Sequence, residues 1–330
     1  MNYKKSSLIF KKINKATKIL VNCHRSPDPD SVGSAISMKN VLERMGKKVR
    51  IVCPSDEIEK YVHYLKDFEK IETINFKNID FSKYDLLITL DTSTWEMATD
   101  DKDISIPDIT VIVIDHHKSN KGYGTINLID SGSSSCCEIL YWIYKDWGIE
   151  LNKIAADALM AGIIGDTGAF RFPSANSRTF KTAQELIDLG ADKNKAIHYI
   201  YRNENFNMIK FWGEVLTRMQ IDKKRRFIWS AVPYDIYQKY GKPVGGKEVT
   251  ATNFAQIIDG TDFGFIAIEQ EKGILSVSFR SRTGFDTTRI ATRLGGGGHV
   301  YASGAKVEAD FESALKKVLQ ISRQVVMKRE

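Results

Sequence analysis

Residues 19–30 read Ile19-Leu20-Val21-Asn22-Cys23-His24-Arg25-Ser26-Pro27-Asp28-Pro29-Asp30, a short apolar run that breaks into imidazole, proline and carboxylate. An apolar run of this length bounded by turn residues reads as a buried strand, here Ile19 to Cys23. A helical pattern follows from Ser34 to Met45 and stops near Gly46, and Val49 to Cys53 reads as the next strand. The alternation continues with Tyr84 to Leu90 and Thr110 to Ile114 as strands, then Ser135 to Trp147 and Ile154 to Ile164 as helices. Strands and helices in alternation predict an α/β domain, a mostly parallel sheet with helices on both faces. Ligands of such sheets bind beyond the carboxyl ends of the strands.

Those ends are where the acidic and imidazole side chains fall. His24, Asp28 and Asp30 follow the first strand, and Asp91 follows Tyr84 to Leu90. Asp115-His116-His117 follow Thr110 to Ile114, and Asp166 closes the Ile164-Gly165 run. A parallel sheet gathers all of these along one edge, where like charges cannot all stay ionised without a cation. A bound pair of divalent ions resolves the conflict. His and Asp donors without thiolates suit Mn(II), or another ion that favours oxygen and nitrogen, better than a structural zinc site. Two such ions about 3.5 to 4 Å apart activate a water and stabilise charge on a phosphoryl group, so phosphoester hydrolysis is the expected chemistry. Taken singly, each cluster has a plainer reading. An Asp-x-Asp is usually a turn or a cap, Asp91 alone caps the next segment, and one histidine can simply be buried and hydrogen-bonded. Their joint occurrence in this order is what points to a site.

At 330 residues the chain has room for about two domains of roughly 150 residues. Its 42% apolar and 27% charged residues exclude a disordered tail, a collagen-like repeat and a coiled-coil rod. No stretch reaches the roughly 18 apolar residues of a membrane span. The start, Met1-Asn2-Tyr3-Lys4-Lys5, shows no apolar signal core, so a soluble, cytoplasmic protein is expected. The net charge of +7 favours anionic partners such as phosphates or nucleic acid, but is modest for this length. Four cysteines without C-x-x-C spacing read as reduced thiols.

The expected organisation is a catalytic domain over 1–190, a helical connector over 191–222 and a smaller mixed α/β domain over 223–330. In the last, Phe227 to Val232, Phe263 to Glu269 and Ile274 to Ser281 read as strands, and Phe311 to Val326 as a closing helix. Arg280 and Arg282 are two apart at a strand end, which puts both guanidinium forks on one face if the extended chain continues. Such forks match phosphate oxygens. The run Gly295 to Gly298 lets backbone N–H groups approach an anion, and His299 follows as a donor. Arg280, Arg282, Gly296, Gly297, Gly298 and His299 are therefore the candidate phosphate-binding set. Arg171, between Phe170 and Phe172, is either a further phosphate contact or part of an aromatic core, and Tyr301 is a candidate for base stacking.

The order His24-x-x-Pro27-Asp28-x-Asp30, Asp91, Asp115-His116-His117, Gly165-Asp166-Thr167-Gly168 and Gly295-Gly296-Gly297-Gly298-His299 resembles the DHH phosphoesterase superfamily. More closely, it resembles the subfamily with a C-terminal DHH-associated domain, and the compact length looks like its nanoRNase/pAp-phosphatase type. The likeness runs over residues 18–305. It implies two Mn(II) ions: His24 and Asp28 would hold one, Asp30, His116 and Asp166 the other, with Asp91 bridging. It also implies that Asp115 orients His116, and that His117 faces the scissile phosphate. The second domain would then hold the nucleotide end of a substrate lying in a cleft between the domains. Short oligoribonucleotides and pAp would be hydrolysed by a water that the two metals activate, and a homodimer is the common form among relatives. The chain departs from the pattern at Pro29, often Gly in the family, and at Thr92-Ser93-Thr94-Trp95. Neither departure removes a ligand, so both bear on substrate preference.

Other readings compete with this one. A cyclic di-AMP or pApA phosphodiesterase would use the same site. Family pyrophosphatases and exopolyphosphatases have a different C-terminal domain, and a processive exonuclease needs a further nucleic-acid-binding domain. A catalytically idle nucleotide sensor has no need of the full ligand set, and a nonspecific nucleic-acid-binding module needs a longer basic stripe.

Overall fold

The computed structural model describes residues 3–55, 57–243 and 245–327. The chain divides into two compact units, Met1–Asn203 and Glu204–Glu330. The first contains α1 (Ser6–Lys15), β1 (Lys18–Asn22), α2 (Pro29–Arg44), β2 (Lys48–Cys53), β3 (Ile71–Thr73), β4 (Leu86–Leu90) and α3 (Trp95–Thr99). It continues through β5 (Thr110–Asp115), β6 (Ile126–Ile129), α4 (Cys136–Asp146), α5 (Lys153–Asp166), α6 (Ser177–Asp188) and α7 (Lys193–Tyr201). The strands form one parallel six-stranded sheet in the order β3-β2-β1-β4-β5-β6. The order reverses between β1 and β4, so the connections leaving these two strands diverge and open a crevice at their carboxyl ends.

Alternate residues of each strand face opposite sides. Ile19 and Val21 pack with Ile9, Val32, Ile36, Leu140 and Leu159 from the helices, whereas Leu20 packs with Phe76, Ile79 and Trp95 on the other face. The second face carries short 3₁₀ turns and the five-residue α3. Helix α2 begins at Pro29, five residues before the Ser34 expected from its periodicity. Its start signal lies inside the acidic motif: Asp28 accepts hydrogen bonds from the backbone N–H groups of Asp30 and Ser31, both at 3.0 Å, and Pro29 occupies the first turn. Helices α2 and α5 cross closely because glycine sits at the contact. A Cβ on Gly33 would lie 2.3 Å from the Ala158 carbonyl oxygen.

The second unit runs α8 (Phe206–Thr217), β7 (Gln220–Asp222), β8 (Phe227–Val232), α9 (Tyr234–Lys239), α10 (Gly246–Phe254), β9 (Phe263–Glu271) and β10 (Ile274–Ser281). It ends with α11 (Thr288–Ala291), β11 (Gly297–His299), β12 (Ala302–Glu308) and α12 (Phe311–Met327). Its sheet has the order β11-β12-β10-β9-β8-β7, with β8 and β9 parallel and the other pairs antiparallel. Leu275, Val277 and Phe279 of β10 share a core with Ala314 and Val318 of α12. Ser276, Ser278 and Arg280 lie on the opposite face. The segment 191–222 is shared between the units: α7 belongs to the first, while Phe211 and Val215 of α8 pack on Ile266 and Ile268 of β9. The glycine run is not a free loop either, since Gly297 to His299 pair with β12. Among the described residues, no helix is long and apolar enough to cross a membrane.

Candidate active site

The crevice between β1 and β4 collects the acidic and imidazole residues. His24 follows β1, Asp28 caps α2, and Asp30 sits in the first turn of α2. Asp91 comes directly after β4, Asp115 ends β5, and Asp166 ends α5. Ligand-type atoms converge within 4.8 Å of one another in three sets: His24, Asp28 and Asp91; Asp30, His116 and Asp166; Asp91, His116 and His117. Asp91 joins them. Its Oδ2 lies 3.5 Å from His24 Nε2, while its Oδ1 lies 3.3 Å from His116 Nε2 and 3.5 Å from His117 Nδ1. His116 Nε2 also lies 3.0 Å from Asp166 Oδ2, and His24 Nε2 3.8 Å from Asp28 Oδ1.

Neighbouring groups aim these side chains. His24 Nδ1 is 2.7 Å from the Arg25 carbonyl oxygen, which can only accept, so Nδ1 carries the proton and Nε2 faces the carboxylates. Asp30 is fully buried and accepts from the backbone N–H groups of Cys136 and Cys137 at 2.6 and 2.9 Å, at the start of α4. Asp91 occupies a left-handed backbone conformation, φ 54°, and its N–H donates to the Ile114 carbonyl of β5 at 3.0 Å. A non-glycine residue held there carries strain of about 1–3 kcal/mol, which the surrounding structure must sustain.

Electrostatics match a cation site. Burial drives Asp30 well above the usual carboxylate range, and the Asp91 and Asp166 charges add to it. Asp166 is pushed up to about 6, first by burial and then by Asp91, with His116 opposing. Burial opposes a charge on His116, yet Asp166 and Asp91 push that imidazole up to about 12. His24 is raised in the same way by Asp28 and Asp91, against burial. Asp91 itself is held well below the usual range: burial works the other way, but the His116 and His24 imidazoles prevail. Protons are thus shared out among groups whose geometry suits divalent ions. The buried Asp91 Oδ1 also accepts no hydrogen bond among the described residues, which leaves a lone pair for a metal. The thiols do not compete for that role. All four cysteines are buried and unpaired, and burial raises Cys23, Cys136 and Cys137 well above the ordinary thiol value.

One expected contact differs. Asp115 does not meet the His116 ring: its Oδ1 accepts from His117 Nδ1 at 2.8 Å and from the backbone N–H groups of His116 and His117 at 2.8 and 3.2 Å. This carboxylate orients His117 and leaves the His116 ring to Asp91 and Asp166. The hydrogen bond from Asp115 raises the His117 pKa, with burial opposing.

In the second unit, β11 and β12 set His299 opposite Ala302, and β12 and β10 set Ala302 opposite Arg280, so His299 and Arg280 share one face of the sheet. Arg280 donates to Thr252 Oγ1 at 3.1 Å, to Ser278 Oγ at 2.8 Å and to the Phe279 carbonyl at 2.9 Å. All three acceptors are neutral. Arg282 lies beyond the end of β10, and its guanidinium turns to the Thr261 carbonyl at 3.2 Å and to Asp259 at 3.1 Å. The expected pair of forks on one face is therefore a single fork, because the strand ends at Ser281. Gly296 already donates its N–H to the Ala291 carbonyl, and a Cβ there would sit 2.0 Å from the Gly304 carbonyl oxygen; Gly298 pairs with Ser303. Gly297 alone of the three faces open space. Tyr301 is 66% exposed, two residues after His299 at the turn into β12. Arg171, in the first unit, is held by the Gly168 carbonyl at 2.6 Å and stacks over Tyr201.

Residues 18–163 match the DHH family, N-terminal domain, and residues 239–328 match the DHHA1 domain. The chain therefore carries a DHH N-terminal domain and a DHHA1 domain. A relative from Bacillus subtilis (strain 168), named bifunctional oligoribonuclease and PAP phosphatase NrnA, is 27% identical to this chain over 297 residues, covering 88% of it and 89% of the relative. The cyclic-di-AMP phosphodiesterase PdeA of Listeria monocytogenes serotype 1/2a (strain 10403S) is 24% identical over 304 residues; the match takes in 87% of this chain and 44% of that longer protein. Among solved structures, an exopolyphosphatase-related protein from Bacteroides fragilis shares the fold, with a TM-score of 0.88 at 22% identity over 98% of this chain and 97% of that one.

Some residues around the site carried no clear sequence signal. Asn120 donates to Asp115 Oδ2 at 2.7 Å, yet in Lys118-Ser119-Asn120 it reads as an ordinary turn asparagine. The cradle for Asp30 consists of backbone N–H groups, which leave no side-chain pattern at all. Thr252 and Ser278, the partners of Arg280, come from α10 and β10 and carry no motif.

Proposed function

We propose that this chain is a metal-dependent phosphoesterase that hydrolyses very short oligoribonucleotides and converts pAp to AMP and phosphate. The observation that carries the reading is the Asp91 carboxylate, one oxygen toward His24 and the other toward His116 and His117, at the point where the sheet order reverses. His24, Asp28 and Asp91 would hold one divalent ion, and Asp91, Asp30, His116 and Asp166 a second. The all nitrogen-and-oxygen donor set favours Mn(II). When bound, such ions act as Lewis acids and lower the pKa of a water at the scissile phosphate. Hydrolysis makes one P–O bond to water and breaks one to a ribose oxygen, which departs with a proton. His117 is oriented by Asp115, and its raised pKa favours the imidazolium, whose Nε2–H can donate to a phosphoryl oxygen. Arg280, His299 and the open Gly297 supply the hold on a terminal phosphate. The buried reduced thiols fit a cytoplasmic setting. The similarity to the Bacillus relative supports the choice of substrates.

A second reading, a phosphodiesterase acting on cyclic di-AMP or pApA, draws support from the likeness to PdeA. One assay separates the two: turnover with Mn(II) on pAp, pApA, a five-nucleotide RNA, a twenty-nucleotide RNA, cyclic di-AMP and pyrophosphate, with Asp91→Ala as the control. Cleavage of pAp and the short RNA, lost in the control, is the expected result. Preference for cyclic di-AMP would move the protein to the second reading. Silence on every substrate, or a fully active Asp91→Ala, would overturn the phosphoesterase assignment.

A further inference from the structure

Asn120 is 8% exposed and uses every hydrogen-bonding atom of its side chain. Its Nδ2 donates to Asp115 Oδ2 at 2.7 Å and to the Thr92 carbonyl at 3.1 Å, and its Oδ1 accepts from the Gly122 N–H at 2.7 Å. The orientation of the amide has one solution. Turned over, its oxygen would face two acceptors and its NH2 would face an N–H. Its backbone N–H donates to the His117 carbonyl at 3.1 Å, so the loop that carries His117 closes on Asn120 twice.

The partners of this amide belong to both loops of the site. Asp115 Oδ1 is occupied by three N–H groups, the His117 ring among them, which leaves Oδ2 to Asn120. Thr92 follows Asp91, whose φ of 54° needs a firm anchor. On that side, Thr92 Oγ1 donates back to the Leu90 carbonyl at 2.8 Å, and Asn120 holds the Thr92 carbonyl.

We propose that Asn120 is a positioning residue: it locks the carboxylate that sets the direction of the His117 ring, and it ties that loop to the turn presenting Asp91. The proposal rests on the phosphoesterase reading for its kinetic consequence. Without the two N–H donors, Asp115 Oδ2 is buried with no partner, its carboxylate is held at Oδ1 alone, and His117 Nδ1 meets a less firmly fixed acceptor. Groups that orient the direct ligands of a metal site are worth roughly 10- to 100-fold in activity.

The test uses two substitutions in the full-length chain. Asn120→Asp keeps the shape and removes both donors, and Asn120→Ala removes the amide. With Mn(II) and pAp, both are expected to lower kcat by roughly 10- to 100-fold while KM stays within about threefold. In Mg(II), which is diamagnetic, ring ¹H–¹⁵N spectra of the wild type should show the His117 Nδ1–H hydrogen-bonded to a carboxylate, and both variants should lose that signature. Circular dichroism measures the folded fraction. A kcat within about twofold of the wild type in both variants, an unchanged His117 signature, or a loss of activity that merely tracks a loss of folded protein would each overturn the proposal. A wild type inactive on every phosphoester would sink the phosphoesterase reading instead, and the His117 spectra would still decide the role of Asn120.

Discussion

Gly162→Ala would add one methyl group where α5 crosses the Asp30 turn. The new Cβ would lie 2.3 Å from Cys137 Sγ, 2.6 Å from Asp30 Oδ1 and 3.0 Å from Asp30 Cα. None of these neighbours moves freely. Asp30 is pinned by the Cys136 and Cys137 N–H groups, and Cys137 is fully buried in α4. Overpacking of this kind costs about 1–3 kcal/mol, offset in part by the roughly 0.5–1 kcal/mol that alanine gains over glycine in a helix. A net destabilisation of about 1–2 kcal/mol follows, which for a unit of this size lowers Tm by roughly 2–8 °C. The same clash turns the Asp30 carboxylate away from His116 and Asp166. A displacement near 1 Å can cost about 100-fold in turnover.

Thermal melting, calorimetric Mn(II) titration and turnover of pAp measure the three consequences. Gly213→Ala is the control, since Gly213 lies in α8 with nothing within 4 Å of its added Cβ. That variant should be neutral or up to about 1 kcal/mol more stable. Wild-type melting, metal affinity and turnover in Gly162→Ala would refute the idea that this glycine exists to make room for the Asp30 ligand.

The metal-free protein should depend on pH in a definite direction. A carboxyl whose folded pKa is raised, as in Asp166 at about 6, stabilises the fold below its ordinary value near 3.8 and loses that contribution as pH climbs through about 6. Asp30 moves the same way, so the Tm gained on adding Mn(II) should be larger at pH 7.5 than at pH 5; an equal or smaller gain at pH 7.5 counts against it. The raised His116 must lose its proton to bind a metal, so Mn(II) uptake should release protons, detectable by calorimetry in buffers of different ionisation enthalpy. Arg280→Met removes a guanidinium bonded only to neutral acceptors and should raise the KM for pAp by about 10- to 100-fold, the worth of a charged hydrogen bond near 1.5–3 kcal/mol. Arg282→Met should change it by less than about threefold, because Asp259 already neutralises that charge. Equal losses in the two variants would refute the single-fork arrangement.

The strands were legible wherever a buried run of Ile, Leu and Val had turn residues on both sides, as at β1, β4, β5 and β10. The start of α2 was hidden because Asp28 both caps the helix and lies in a ligand set, while the apolar periodicity is legible only from Ser34. β11 was hidden for the opposite reason: two of its three residues are glycine, and a strand without side chains has no alternation to read. The gathering of the ligand-type residues followed from strand ends for His24, Asp91 and Asp115 to His117, and from a helix end for Asp166. The paths of Arg280 and Arg282 did not, since they depend on where β10 stops.

The two adjacent histidines mark the limit most sharply. Sequence places Asp115 beside both and cannot say which ring it touches. The turn decides it. Asp115 Oδ1 accepts from the N–H groups of both residues that follow, which curls the chain over the carboxylate and brings the ring two residues on, that of His117, back onto the same oxygen. The His116 ring is then directed away from Asp115, toward Asp91 Oδ1 and Asp166 Oδ2. One short turn therefore separates a ring turned toward the ligand cluster from a ring held by a carboxylate. The direction of each follows from backbone hydrogen bonds that either histidine, read alone, gives no reason to expect.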